Sequence, residues 1–437
     1  IHTLHQLEIE NRNATEPEQE ILSKYVGWGG LADAFDEKKD AWADEYHELK
    51  NTLTEGEYTA ARESTLNAHY TSPVIIRGIY RALEQIGFKG GNILEPSMGI
   101  GNFFGMLPDS VQNSRLYGVE LDSVSGRIAK KLYPKAQITV AGFETTNQHN
   151  FYDLAIGNIP FGNYKVNDRA YNRLGFSIHN YFFAKALDQI RTGGIVAFVT
   201  SHYTMDSKNP SARRYLAQRA KLLGAIRLPD NAFRANAGAE VVSDILFFQK
   251  RDHIIDVDEN WIHLGTASNG YAINSYFVEH PEMVVGSMEM ASGPYGMEST
   301  CVPDDSIPFE EQLQKSLSFI EGSYEEIELE EMNEELTAEV IPAVPEVKNF
   351  SYAQIEDRLY YRENSVMRPV EASEGMLERI KGMASIRDCT QELIRLQLED
   401  YPEEQIRSAQ KKLNDLYDAF VKDYGRIYSK TNKRAFH

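Results

Sequence analysis

The sequence predicts an α/β protein. A mostly parallel sheet occupies the middle of the chain, one antiparallel strand ends it, and helical regions lie before and after. Three observations lead there. Short apolar runs alternate with helical stretches between residues 66 and 252, the pattern of parallel strands joined by crossover helices. A glycine-rich turn, Gly99-Ile100-Gly101, separates the first run from a helix start, as it does where backbone must approach a ligand closely. The last two runs, Ala225-Ile226 and Ile245-Phe248, have no clear helix between them, so the final strand runs back antiparallel.

Each element follows from local chemistry. Thr15-Glu16-Pro17-Glu18 starts a helix with acids in its first turn, where they complement the helix dipole. Thr54 and Glu57 have the spacing of a capping box. Pro73 to Ile86 is amphipathic at helical period. The strand candidates are Ile93-Leu94, Leu116-Val119, Ile138-Val140, Leu154-Ile156, Ile195-Val199 and the two final runs, with helices expected over 123–132, 179–191 and 211–222. Residues 1–65 form a helical N-terminal extension, 66–252 the sheet domain, 253–347 an acidic connecting linker, and 348–437 a helical C-terminal region.

With 437 residues, 42% of them hydrophobic and 11% aromatic, the chain has material for two or three domains at roughly 150 residues each. No apolar run reaches the roughly 18 residues that span a bilayer. Cys301 and Cys389 are the two cysteines, too few for a disulfide framework or a zinc site, so a reducing cytoplasm and no metal are expected. The chain opens without Met and ends abruptly at His437, which suggests a piece of a longer protein.

The net charge of −20 is unevenly spread. Residues 66–252 hold 22 basic and 14 acidic residues, net +8, whereas 253–303 are net −7 and 304–347 net −13. Positive charge peaks between Met205 and Arg234, where Lys208, Arg213, Arg214 and Arg234 are candidates for phosphate contacts. A solvated helix face explains the same charges equally well.

The stretch Leu94-Glu95-Pro96-Ser97-Met98-Gly99-Ile100-Gly101-Asn102-Phe103-Phe104 opens like a dinucleotide fingerprint, but Phe104 stands where the third glycine belongs. It resembles motif I of the S-adenosylmethionine-dependent amino-methyltransferases. That resemblance implies a Rossmann-like, seven-stranded class I methyltransferase sheet. It also implies that Glu95, Pro96, Ser97, Gly99, Gly101, Asn102 and Phe103 wrap the methionine part of S-adenosyl-L-methionine. Glu120, with Leu121 beside it, would accept the ribose hydroxyls. Tyr70-Thr71 resembles the segment that closes over the methionine end. Phe143 and Glu144 would hold the adenine, although their order is reversed relative to the family's acid-aromatic pair, and packing alone accounts for Phe143 as well.

Gly157-Asn158-Ile159-Pro160-Phe161 resembles the Asn-Pro-Pro-Phe/Tyr motif of the same family, with Ile159 in place of the first proline. An exocyclic adenine amine is a weak nucleophile because its lone pair is delocalised into the ring. Two acceptors on its hydrogens, the Asn158 side-chain oxygen and the carbonyl of Ile159, would draw it toward a geometry able to attack a sulfonium methyl. The resemblance makes Pro160 part of the same catalytic motif. Phe161 would stack on the flipped base at roughly 1–3 kcal/mol, and Phe233 would lie against its other face unless it is plain core.

These motifs, with Tyr25-Val26-Gly27-Trp28-Gly29-Gly30-Leu31 and Leu413-Asn414-Asp415-Leu416-Tyr417-Asp418-Ala419-Phe420, are together similar to the N-terminal part of very large proteins of phages, plasmids and integrative elements. Those proteins join a methylase-like domain to a SWI/SNF-type helicase and are linked to DNA modification or antirestriction. The resemblance implies N6-adenine methylation of DNA, a helicase domain in the same full-length chain and no membrane partner. Two alternatives stay open: a non-catalytic module that binds cofactor or DNA in support of the helicase, and methylation of RNA or of a protein glutamine.

Overall fold

The computed structural model describes every residue except 30, 66–70, 234–241, 268–269, 294–295, 325–340, 346, 349–350, 356–357, 364–365, 371–373, 400, 430–431 and 433–437. Two compact units result, Ile1–Glu326 and Ile327–His437.

The first unit is built on the expected seven-stranded sheet. Its strands are β1 (Asn92–Glu95), β2 (Arg115–Glu120), β3 (Gln137–Val140), β4 (Tyr152–Asn158), β5 (Ile190–Ser201), β6 (Ala220–Leu228) and β7 (Ser243–Lys250). Their order is β3-β2-β1-β4-β5-β7-β6. Pairs among β1–β5 are parallel, and β7 inserts between β5 and β6 antiparallel to both. This is a Rossmann-like fold whose last strand is reversed, as expected. The central strands are apolar on both faces; Leu154, Ala155, Ile156 and Val196 to Val199 are fully buried, as a sheet covered on both sides requires.

Ahead of β1 come α1 (His2–Ile9), α2 (Glu16–Ser23), α3 (Ala43–Thr52), α4 (Glu55–Ser64) and α5 (Pro73–Gln85); α6 (Asn102–Gly105) and α7 (Ser123–Leu132) follow β1 and β2, and α8 (Ile178–Gln189) precedes β5. The capping box at α4 forms, with Glu57 N donating to Thr54 Oγ1 at 3.3 Å and Thr54 N to Glu57 Oε2 at 2.8 Å. The N-terminal helices pack on α7 through Leu4, Leu7, Leu22, Val124 and Ile128. Arg127 of α7 bridges Glu8, Nε to Oε1 at 2.7 Å, and Glu57.

Residues 253–324 are not a linker. They form a short hairpin (β8, Leu264–Thr266; β9, Ala272–Asn274), a second hairpin (β10, Ser287–Gly293; β11, Gly296–Val302) and a helix, Phe309–Leu317. Trp261, Phe277, Met283, Leu313, Leu317 and Ile320 are buried in the same core as the sheet. Val285 N donates to Arg227 O at 2.9 Å, and Tyr324 N to Ile86 O at 2.7 Å. Asp258, Glu279, Asp304, Glu310 and Glu311 are exposed around an apolar framework that a charge count averages away. Of the expected linker, residues 268–269, 294–295, 325–340 and 346 lie outside the described residues.

The second unit is likewise not purely helical. A four-stranded antiparallel sheet (β12, Ile341–Pro342; β13, Tyr352–Ile355; β14, Arg358–Glu363; β15, Val366–Pro369) precedes two long helices, Glu374–Leu398 and Glu403–Tyr424. Its core holds Leu359, Ile380, Met383, Ile386 and Phe420.

Candidate active site

The strand order reverses between β1 and β4, and at such a switch point the loops after the strands diverge and leave a crevice. A cavity of about 650 Å³ opens there, lined from the ends of β1, β2, β3 and β4.

At the end of β1 the chain turns through Pro96 and Ser97. Met98 N donates to Val119 O at 3.0 Å, which fixes the turn to β2. Gly99 and Gly101 take φ of +56° and +87°, a region unfavourable for side-chain-bearing residues. Gly99 lines the cavity, as do Glu95, Pro96, Ser97, Asn102 and Phe103. Gly101 does not: a Cβ there would lie 2.6 Å from the Tyr133 ring, and Tyr133 OH donates to Gly101 O at 2.7 Å. Its role is to shape the turn, which corrects its assignment as a direct contact.

Glu120 and Glu95 are two of the four acids on the cavity wall. Glu120 ends β2; its Oε1 accepts from Asp122 N and its Oε2 from Gly99 N, both at 2.7 Å. Burial pushes its carboxyl up from 4.5 to about 7, against the lowering effect of those amides. Each oxygen keeps a second lone pair for a ligand donor. Glu95 is 2% exposed, and its Oε2 has no hydrogen-bond partner among the described residues. Burial first, then the charge of Glu120, raises it well above the usual carboxylate range. Leu121 lies at the rim and is exposed.

After β3, Phe143 and Glu144 occupy a single 3-10 turn and line the cavity. Phe143 is held against Phe182, ring centroids 4.9 Å apart. Lys185 Nζ donates to Glu144 O at 3.0 Å and to Asp168 Oδ2 at 2.8 Å, so it ties this turn to the loop after β4.

Asn158, Ile159 and Pro160 line the cavity at the end of β4. Ile159 N donates to Val199 O at 3.1 Å, which carries the β4–β5 ladder one residue past the strand. A proline lacks that N–H; with isoleucine the ladder, instead of a ring, holds the start of the loop. Phe161 is half-buried against the core and does not line the cavity, whereas Tyr164 does.

The remaining expected residues divide. Thr71 lines the cavity just before α5; Tyr70 and Arg234 lie outside the described residues. Phe233 is 2% exposed and belongs to the core cluster, so it is a packing residue here and not a base contact. Arg213 is corrected too: it is 1% exposed, and its Nε donates to Ile262 O at 2.7 Å. It faces inward from the helix Ser211–Arg219, while its neighbour Arg214 faces out. Lys208 is exposed, and Arg214 has a loose ion pair with Asp258, at 3.9 Å.

Sequence reasoning missed Gly27, Trp28 and Ala60 of the N-terminal region, and Tyr164 and Asn167 of the loop after β4. The Gly27-Trp28 motif was visible but carried no assignment; the loop residues had no signal. Among the described residues no cluster of His, Cys, Asp or Glu is arranged to hold a metal ion. No described helix is long and apolar enough to cross a membrane.

No family model matches the sequence. Over 249 residues, 55% of this chain, it is 27% identical to defense against restriction protein B of Escherichia phage P1. Over 93 residues, 21% of this chain, it is 38% identical to the type II methyltransferase M.CvrRI of Paramecium bursaria Chlorella virus XZ-6E. The matches span 9% and 24% of the length of those relatives. Among solved structures, it is similar to a type I restriction-modification methyltransferase subunit from Streptococcus thermophilus (TM-score 0.39, 14% identity, 64% of this chain and 61% of that one). It is also similar to the M protein of the type I restriction enzyme EcoKI (TM-score 0.32, 18% identity, 55% of each chain). The fold assignment rests on the strand order itself.

Proposed function

We propose that this chain is an S-adenosylmethionine-dependent methyltransferase module that acts on the N6 amine of a flipped-out adenine in DNA, within a larger protein serving DNA modification or antirestriction. The observation that carries the reading is the single cavity that unites the glycine loop, Glu120, Phe143 and Asn158-Ile159-Pro160. Its volume suits a ligand of this size. The cavity residues fit the cofactor: Glu120 offers lone pairs to ribose hydroxyls, Phe143 an apolar face to the base, and Glu95 Oε2, without a partner among the described residues, an acceptor for an ammonium.

Bound there, S-adenosylmethionine would supply an electrophilic methyl carbon on its sulfonium. Asn158 and the Ile159 carbonyl would accept the two hydrogens of the target amine and position it for in-line attack. Holding the reactants in place and polarising the amine supply the catalysis. Exposed Lys208 and Arg214 would meet the DNA backbone. The names of the two relatives, one a defence against restriction and one a methyltransferase, are consistent with this role. The helicase remains part of the proposal for the full-length protein.

The test is transfer of labelled methyl groups to DNA, followed by digestion to nucleosides. Labelled N6-methyl-2′-deoxyadenosine is expected, and Asn158→Ala should lower the rate by about 10²–10³-fold while S-adenosylhomocysteine still binds. An undiminished rate in that variant, or label only in RNA or glutamine, would sink the reading. A second reading, binding without transfer, is favoured by the position of Phe161 away from the cavity lining. Cofactor binding with no turnover on any nucleic acid would select it.

A further inference from the structure

Gly27 and Trp28 have no part in the mechanism above, yet both line the cavity. Trp28 is 7% exposed and set edge-on to Tyr25, at 5.8 Å, and Phe35, at 5.4 Å. It shares an apolar cluster with Ile100 of the glycine loop and with Val124 and Ile128 of α7, which places it at the glycine-loop end of the site. Its indole Nε1 is sealed from solvent and has no acceptor among the described residues.

An indole N–H can only donate, and a buried donor without an acceptor calls for an explanation. The wall of the same cavity holds the reverse case, the buried Glu95 Oε2 that lacks a donor. A donor without an acceptor and an acid without a donor are together complementary to a zwitterion. An α-amino acid group brings both, its carboxylate for Trp28 and its ammonium for Glu95.

We infer that Trp28 donates its indole N–H to the carboxylate of the ligand's amino-acid group, so that the N-terminal region forms one wall of the binding site. The inference rests on the reading that the cavity takes S-adenosylmethionine. Arg127 fixes the wall, since it joins α7 to both Glu8 and Glu57.

The experiment compares two ligands on the full chain and on Trp28→Phe. S-adenosylhomocysteine carries the amino-acid group; 5′-methylthioadenosine has the same nucleoside and lacks it. The variant should bind S-adenosylhomocysteine about tenfold more weakly, as for a lost hydrogen bond to a charged acceptor. It should bind 5′-methylthioadenosine as the unaltered protein does. Equal weakening for both ligands, or none for either, overturns the inference. A second measurement reads Trp28 in the unaltered protein. The chain has three tryptophans, so 5-fluorotryptophan labelling gives three fluorine resonances, and Trp42→Phe and Trp261→Phe identify the other two. The Trp28 resonance should move with S-adenosylhomocysteine and much less with 5′-methylthioadenosine; an unmoved resonance overturns the inference. If the unaltered protein binds neither ligand, the cofactor reading fails first and this one with it. Normal binding that Trp28→Phe leaves intact overturns this inference alone.

Discussion

Glu120 gives the cavity a pH dependence that can be worked through. Its carboxyl is buried, with burial lifting it to about 7 even though the backbone amides of Asp122, Gly99 and Leu121 favour the charged form. A ligand hydroxyl donates best to the ionised carboxylate, so binding draws the group into that form. At pH 8 Glu120 is mostly ionised and binding costs nothing extra. At pH 6 only about a tenth is ionised, and apparent affinity falls about tenfold, or about 1.4 kcal/mol. Affinity therefore rises with pH and levels off above 7, with about one proton released per ligand at pH 6. The assay is calorimetric titration of 5′-methylthioadenosine, which has no group of its own titrating in this range, from pH 5.5 to 8.5 in buffers of different ionisation heat. Glu120→Gln should flatten the profile and abolish proton release. A flat profile in the unaltered protein, or affinity that rises as pH falls, would refute the reasoning.

Three further outcomes are expected. Asp153 accepts from Arg191 Nε at 2.6 Å, Asn92 N at 2.7 Å and Tyr324 OH at 3.1 Å; Asp153→Ala removes the buried carboxylate that balances the Arg191 charge, and urea unfolding should show a loss of about 3–5 kcal/mol. Burial opposes ionisation of Glu57, but Arg127 and Thr54 outweigh it and bring its carboxyl down to about 2. A depressed acid contributes stability above its unfolded value near 4.5 that is lost as pH falls toward 2; hydrogen exchange should show the N-terminal helices loosening in that window, and Arg127→Met should loosen them already at pH 7. Lys208→Ala should reduce the salt dependence of DNA binding by about one phosphate contact, whereas Arg213→Met should lower the melting temperature and leave that slope unchanged.

The strands of the sheet were legible because a strand buried on both faces reads as a continuous apolar run, as Ile195-Val199 and Ile245-Phe248 do. The helix caps were legible because they are local chemistry, as Thr54 and Glu57 show. Side-chain direction was not. Arg213 and Arg214 are one residue apart, about 100° around a helix, and only packing sends one inward to Ile262 and the other to solvent. The region after residue 252 was misread because its acidic count hid Trp261, Phe277, Met283, Leu313 and Ile320, spaced too irregularly to show a period but jointly buried. The sheet of the second unit was missed for a related reason: Arg358–Glu363 mixes charged and apolar residues, so it lacks the long apolar run that marked the central strands.

The structure also changes what counts as the folding unit. Residues 66–252 contain every strand of the sheet, and sequence alone makes them a domain. Yet α5 is covered by the helix Phe309–Leu317: a Cβ on Gly78 would lie 2.6 Å from Leu317 Cδ1. Tyr324 reaches back to Asp153, at the base of β4. On the other flank the N-terminal helices cover Val124 and Ile128 of α7 and supply a wall of the cavity. A 66–252 fragment would expose both apolar faces and leave Arg127 without its two acids. It should therefore precipitate or collapse without a cooperative melt, while 1–324 should unfold in one transition. A soluble, cooperatively melting 66–252 fragment that binds S-adenosylhomocysteine as well as the full chain would show that the flanking segments are accessories and not parts of the site.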